Sequence, residues 1–302
     1  MVMRVATFAL SDQMIAAAMR TEAVMASEQA QESSGLKSAY FGGYGADAQH
    51  IVNLQVSVTR AQSYVGAATL ADSKTQVMYS ALGSMTNLIT NLRTQLSAAT
   101  TGSSTATASA ITSAQQMLTQ MGSLLNSQYD GQYLFGGART ASAPVDLSSF
   151  VSGTGSTTTA DTSYYKGDGE IASVRVSDDQ TVSYGITADN PAFEQVMRVL
   201  KFVANQATLS STDITNALNL ASSALDATAT VQAKLSSSAA QIEGAKSRQS
   251  DYQAFAQTLG SDLSGVDVAA VTAQMSAYQA QLTASYSAIA RIQGLNLASY
   301  LK

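Results

Sequence analysis

The chain has 302 residues and a formal net charge of −5, and charged residues make up only 12% of it, against about 25% in an ordinary soluble protein. No basic stripe marks a nucleic-acid surface. Cys is absent, which excludes disulfides, thiolate metal sites and cysteine nucleophiles. Ser, Thr, Gln and Asn replace the missing charges, and such a surface can pack against copies of itself without burying many ions.

The first segment carries a soft heptad seam at Met3, Thr7, Leu10, Met14, Ala17, Thr21 and Val24. Asp12 and Gln13 interrupt its apolar run, so the expectation is an amphipathic helix and not a cleaved secretory leader. If the protein works outside the cell, it is expected to leave by a route without such a leader. No stretch is apolar enough to span a membrane. "SSGLKSAYFGGYG" (33–45) breaks the helical pattern. From Ile51, Leu54, Val58, Ala61 and Val65 resume the steps of three and four, followed by Met85, Leu88, Leu92 and Leu96. A further helix is predicted from about Ala106 to Gln128, on Ile111, Met117, Leu118, Met121, Leu124 and Leu125.

"SQYDGQYLFGG" (127–137) reads as a structural corner. Asp130-Gly131 is a tight-turn pair. Tyr133 and Phe135 alternate as in a strand, so both are expected on one side, toward the top of the helical bundle. Gly136-Gly137 release the chain. From 138 to 190 the helical period disappears. Ile171, Val174 and Val176, then Val182, Tyr184 and Ile186, alternate between turn signals and predict a β insertion of two to four strands. Phe193, Val196, Val199, Leu200 and Val203 mark a helix near 192–207.

A long helix follows, with Ile214, Leu218, Ala221, Leu225, Thr228, Gln232, Leu235, Ala239 and Ile242 on its seam and Asp213 as a start signal. Unbroken to about Thr258, it would be on the order of 70 Å long. "LGSDLSGVD" (259–267) breaks the pattern again. The last segment has the strongest seam: Val268, Val271, Met275, Tyr278, Leu282, Ser285, Ile289 and Ile292, with Tyr286 available beside the weak Ser285. The first and last segments are expected to pair. Their seams are thin, so residues 1–40 and 266–302 are expected to stay disordered in a free monomer and to order on assembly.

The residues offer no catalytic constellation, cofactor motif or metal site. His50 is the only histidine, and a surface or cap role suits it. "KGDGE" (166–170) lacks the ligand spacing of a calcium loop and reads as a turn at Asp168-Gly169. "SDD" (177–179) reads as a hairpin turn, and no spacing singles out a pair of carboxylates. "FGGYG" and "FGG" match no dinucleotide fingerprint. Tyr40, Phe41 and Tyr44 are more aromatic than a flexible linker requires, which leaves local packing or an inter-subunit contact.

The nested pattern, terminal helices outermost and a β insertion within a long helical pair, resembles the flagellin superfamily and, within it, the hook-associated junction proteins of type 3. "NSQYDGQYLFGGARTASAPV" (126–145), "YYKGDGEIASVRVSDDQTVSYGITADNPAFEQVMRVL" (164–200) and "LTASYSAIARIQGLNLASYLK" (282–302) carry the resemblance. The family's "SG-basic…DD" segment is only partly kept: Ser34, Gly35 and Lys37 are present, the acidic pair is missing, and Asp47 lies nearby. The resemblance implies a mainly α, nested long-helix bundle with coiled-coil terminal helices and a small inserted β domain. It implies an inner domain at 1–40 plus 266–302, a bundle at 41–137 plus 191–265, and a β-rich outer domain at 138–190. It implies a non-enzymatic structural protein of the extracellular bacterial flagellum, exported through the type III apparatus and assembled at the distal hook. Its partners would be copies of itself, the type 1 hook-associated protein, flagellin and an export chaperone, with no nucleic acid and no membrane insertion. Assembly residues would be Leu10, Met14, Val268, Val271, Met275, Tyr278, Leu282, Ile289 and Ile292. A filament flagellin is the alternative within the superfamily. A carbohydrate-binding surface adhesin, using 138–190, is the alternative outside it.

Overall fold

The computed structural model describes residues 2–150 and 157–294, with side-chain surroundings for 9–150 and 157–292. The described helices are α1 (Val2–Ser34), α2 (Asp47–Ala99), α3 (Ser104–Leu125), α4 (Pro191–Ala204), α5 (Ser211–Ser264) and α6 (Val268–Gly294). Two short antiparallel pairs join them: β1 (Gln128–Tyr129) with β2 (Gln132–Tyr133), and β3 (Ser173–Arg175) with β4 (Thr181–Ser183). The fold is mainly α, with the β structure inserted between α3 and α4.

Helix starts follow local chemistry. Asn190 accepts the Ala192 amide at 3.0 Å, with Pro191 in the first turn where its missing N–H costs nothing. Ser210 and Asp213 form a reciprocal box: the Asp213 amide donates to Ser210 Oγ (3.1 Å), and the Ser210 amide donates to Asp213 Oδ2 (3.0 Å). Asp267 accepts the Ala270 amide at 3.1 Å and starts α6.

The chain divides into two compact units. The terminal unit spans 1–59 and 253–302. In it α1 and α6 run antiparallel, with Glu22 opposite Tyr286 and Glu32 opposite Thr272. Among the described residues the cluster between them is small: Ala18, Leu282 and Ile289, with Met14 and Met25 against them. The α1 seam keeps the predicted Met14 and Thr21, both half-buried, but lies one residue on from the predicted Leu10, Ala17 and Val24. Ala18 and Met25 turn inward, while Ala17 and Val24 are exposed. Small residues at both 17 and 18 leave the heptad phase underdetermined by hydrophobicity alone.

The central unit spans 60–252. Leu82, Met85, Ile89, Leu92 and Leu96 of α2 are all fully buried in one core with Ala217, Ala221, Ala224 and Leu235 of α5. α4 contributes Phe193, Val196, Met197, Leu200 and Val203, and α3 contributes Met121 and Leu125. Thr75 and Thr228 are tolerated inside because each hydroxyl donates to the carbonyl four residues back, at 2.7 Å. Residues 138–190 fall in this same unit. Val174, Val176, Val182, Tyr184 and Ile186 enter its core, but Ile171 is 46% exposed and the ladder starts after it, at Ser173.

Candidate assembly surfaces

On α6, Val271, Leu282 and Ile289 are buried, and Met275, Tyr278, Ser285 and Ile292 are half-buried. Met14 of α1 is half-buried against this row, whereas Leu10 (50%) and Val268 (46%) stay exposed. Ser285 keeps its seam position, and Tyr286 turns out to donate its hydroxyl to the Glu22 carboxylate, which raises the tyrosine's pKa. Leu10, Ile15, Met19 and Val24 are exposed on α1, so its apolar arc is wider than the face α6 covers. The energetics are unfavourable for an isolated pair. Fully burying a Leu or Ile yields about 1.5–3 kcal/mol, while ordering backbone costs about 1 kcal/mol or more per residue. Among the described residues, Ala18, Val271, Leu282 and Ile289 are the buried hydrophobic side chains of this pair, too few to stabilise a 33-residue helix on their own.

The linker after α1 is tied to the end of α5. Gly35 adopts φ 70°, and Leu36 bridges Gly265. Its Lys37 amide donates to the Ser264 carbonyl at 2.9 Å, and Lys37 Nζ donates to the Leu263 carbonyl at 2.9 Å, at the electronegative end of α5. The Tyr44 hydroxyl turns inward and donates to the Ser38 carbonyl at 2.5 Å. Tyr40 and Phe41 do the opposite, at 80% and 52% exposure. Behind the 3-10 turn Phe41–Tyr44 lies a groove of about 660 Å³. Leu36, Phe41, Leu54, Val58 and Ala256 line it, and none of its lining residues is charged.

The corner at 127–137 is built on backbone conformation. Asp130 (φ 50°) and Gly131 (φ 71°) form the two-residue loop between β1 and β2, the left-handed pair that such a hairpin needs. Phe135 is fully buried edge-on to Phe193, ring centroids 5.8 Å apart, and its carbonyl accepts the Ala188 amide at 2.9 Å. Tyr133 is half-buried. A Cβ at Gly136 would meet the Arg139 carbonyl at 2.6 Å. Gly137 (φ 72°) has no room either: a Cβ there would meet the Asp168 carbonyl oxygen at 2.6 Å. Asp168 in turn accepts the Ala138 amide (2.8 Å) and the Glu170 amide (3.1 Å), which holds its carboxyl below the ordinary range. "KGDGE" is therefore the far wall of the corner.

Sequence reasoning missed what the β3–β4 hairpin touches. Its tip returns to both long helices of the central unit. Asp178 accepts from the Tyr64 hydroxyl at 2.8 Å and pairs with Arg60 at 2.9 Å, both on α2. Arg248 of α5 donates to the Gln180 side chain at 3.2 Å, and Ser238 of α5 donates to the Ser183 carbonyl at 2.9 Å. The Tyr64 hydrogen bond first, then Arg60, holds the Asp178 carboxyl below its usual range. A second anchor lies on α4. The buried Glu194 pairs with Arg198 at 3.2 Å and accepts the Asp161 amide at 2.9 Å, while Arg198 donates to the Thr157 carbonyl at 3.3 Å.

His50 is exposed in the first turn of α2. Among the described residues, no cluster of three or more His, Cys, Asp or Glu is placed to hold a metal ion. Among them too, no helix is long and apolar enough to cross a membrane.

The fold is shared with solved flagellar proteins. A Vibrio parahaemolyticus chain described as a flagellar hook-associated protein aligns at TM-score 0.59 and 15% identity, over 72% of this chain and 97% of its own. FlgL from Bacillus cereus aligns at 0.56 and 14%, over 70% and 98%. Flagellar hook associated protein-3 from Legionella pneumophila aligns at 0.56 and 15%, also over 70% and 98%. No relative is detected among curated protein sequences. Residues 5–140 match the bacterial flagellin N-terminal helical region, and 218–301 match the bacterial flagellin C-terminal helical region. Both halves of the family's helical framework are thus present, in order and over most of the sequence, and the chain belongs to the bacterial flagellin family.

Proposed function

We propose that this flagellar component is the adaptor between hook and filament, a structural protein that assembles at the distal hook end and offers its outer edge to flagellin. The observation that carries the reading is the α1–α6 pair. Its apolar arc is wider than its own partner covers, on a framework shared with hook-associated proteins. The inner row Met14, Val271, Met275, Tyr278, Leu282, Ile289 and Ile292 sets the pair. Leu10 and Val268 lie outside it and are assigned to neighbouring copies. Its partners are further copies of itself, the type 1 hook-associated protein below and flagellin above, with a chaperone covering the same helices during type III export. The three-part layout, with an inner layer at 1–40 plus 266–302, a helical layer at 41–137 plus 191–265 and an outer layer at 138–190, belongs to this reading of the assembled state. The corner Asp130, Gly131, Tyr133, Phe135, Gly136 and Gly137 is the fixed exit to the outer layer.

Deleting the gene and staining for flagellin tests the proposal. The expected result is bare hooks with flagellin released into the medium, and antibody against this chain decorating one short band at the hook boundary. Decoration along the whole filament would assign the chain to the filament as a flagellin instead.

A further inference from the structure

The inward row of α1 follows heptad steps through Met14, Ala18, Thr21, Met25, Glu28 and Glu32. Glu28 is thus a seam position. The facing helix α6 has no Asp or Glu over 268–294 and one basic residue, Arg291. Two acids of α1 accordingly meet hydroxyls of α6 and not cations. Tyr286 donates to the Glu22 carboxylate, and Thr272 donates to Glu32 Oε1 at 3.0 Å. Glu28 lies between them, six residues beyond Glu22 and four before Glu32. That sets it level with 276–280, where Tyr278 is the inward residue. No donor satisfies it: Glu28 Oε2 is buried and has no hydrogen-bond partner. For packing alone an apolar residue at 28 would serve better, because a buried carboxylate oxygen without a donor is costly.

That cost depends on the partner. Met14, Ala18, Thr21 and Met25 are neutral and suit a second α1 as well as they suit α6. Leu10, Ile15, Met19 and Val24 add exposed apolar surface to the same helix. Apolar burial is non-directional and does not tell the two partners apart. The acids do. In a parallel pair of α1 helices, Glu28 would face Glu28 and Glu32 would face Glu32 on the seam, like charges without donors. In an antiparallel one, the acids would meet a helix that contains no tyrosine. Against α6, Glu22 and Glu32 each gain a hydroxyl. We propose that Glu28 keeps α1 from pairing with another α1, while the Tyr286–Glu22 and Thr272–Glu32 bonds make α6 its partner. A polar residue on a heptad seam gives up stability for choice of partner. This selection acts in a junction subunit and in a filament subunit alike.

The chain has no Cys, so introduced cysteines are unique reporters in the full-length protein. Thr21 and Ser285 are half-buried seam positions beside the Glu22–Tyr286 contact. Thr21→Cys combined with Ser285→Cys therefore reports the α1–α6 pair as a disulfide within one chain. Thr21→Cys alone reports α1 meeting α1 as a disulfide between chains. Both are oxidised over a concentration series, with and without changes at position 28. Glu28→Leu and Glu28→Ala should each raise the disulfide between chains by about fivefold or more. Ala removes the acid without adding apolar bulk. Glu28→Asp keeps the acid and should stay at the starting level. Ser285→Cys alone reports α6 meeting α6 and should not respond to position 28. Tyr286→Phe with Thr272→Val should lower the disulfide within the chain by about threefold or more. Yields between chains that ignore both Leu and Ala would overturn the role of Glu28, as would Asp behaving like Leu. An unchanged yield within the chain in the double hydroxyl variant would overturn the role of Tyr286 and Thr272. None of these yields depends on where the chain sits in the flagellum, so the adaptor reading stands or falls separately by the gene deletion.

Discussion

Asp178 is a single exposed carboxylate that ties a hairpin to a helix 118 positions earlier in the chain. Its neighbours are Tyr64 and Arg60 on α2, Arg175 at 3.9 Å on its own hairpin, and the adjacent Asp179. The Tyr64 hydrogen bond and the Arg60 charge favour the ionised form, so the folded pKa is depressed. A depressed folded value contributes stability that is present above the unfolded pKa. That contribution is lost as pH falls through the folded one. The unfolded value is about 3.9. Asp178→Asn should therefore melt below wild type at neutral pH, with the gap narrowing once pH falls below about 4. The effect is small and salt-sensitive because the pair is exposed. Thermal melts of both proteins from about pH 7 to about pH 2.5 check this, and a gap constant across that range would remove the carboxylate from the explanation.

At the scale of elements, the helices differ in what holds them. Leu92 of α2 sits fully buried among side chains from several helices. Leu92→Ala should cost about 2–5 kcal/mol of the main unfolding transition. Leu282 of α6 is also buried, but among the described residues its cluster contains only Ala18 and Ile289 with Met14 and Met25. Leu282→Ala should leave the main transition within about 0.5 kcal/mol and impair assembly instead. Amide exchange on the monomer gives the direct readout: fast across 9–34 and 268–292, slow across α2 and α5 of the central unit. Strong protection of both terminal helices in the free monomer would contradict the expectation that they order on assembly.

The same contrast explains what the sequence made legible. Runs such as Met85, Leu88, Leu92 and Leu96 locate a helix and its inner face because large apolar residues recur at fixed steps. Asp130-Gly131 locates a turn because few pairs tolerate left-handed backbone. The phase of α1 was not legible, because Ala17 and Ala18 are equally small. The fold-back of the β3–β4 hairpin was not legible either. "SDD" is ordinary turn composition, and its partners Arg60, Tyr64, Ser238 and Arg248 are distant in sequence and polar.

For the whole molecule, the scarcity of charge predicts how it should associate. A chain with 12% charged residues and a net charge of −5 has little long-range electrostatic repulsion to overcome, and few ions to pair across an interface. Its exposed apolar positions on the terminal unit include Leu10, Ile15, Met19, Val24, Tyr40, Phe41, Phe255, Leu259 and Val268. Association through them is driven by apolar burial, which weakens on cooling and is strengthened by excluded salts such as sulfate. Sedimentation of the full chain should therefore change by less than about threefold between 0.05 and 0.5 M NaCl. It should shift toward larger species with added ammonium sulfate and toward smaller ones near 4 °C. Loss of association on adding NaCl would require an ionic interface instead. That result would place the contact on cations of the central unit, such as Arg60, Arg175, Lys246 and Arg248, and not on the apolar surfaces.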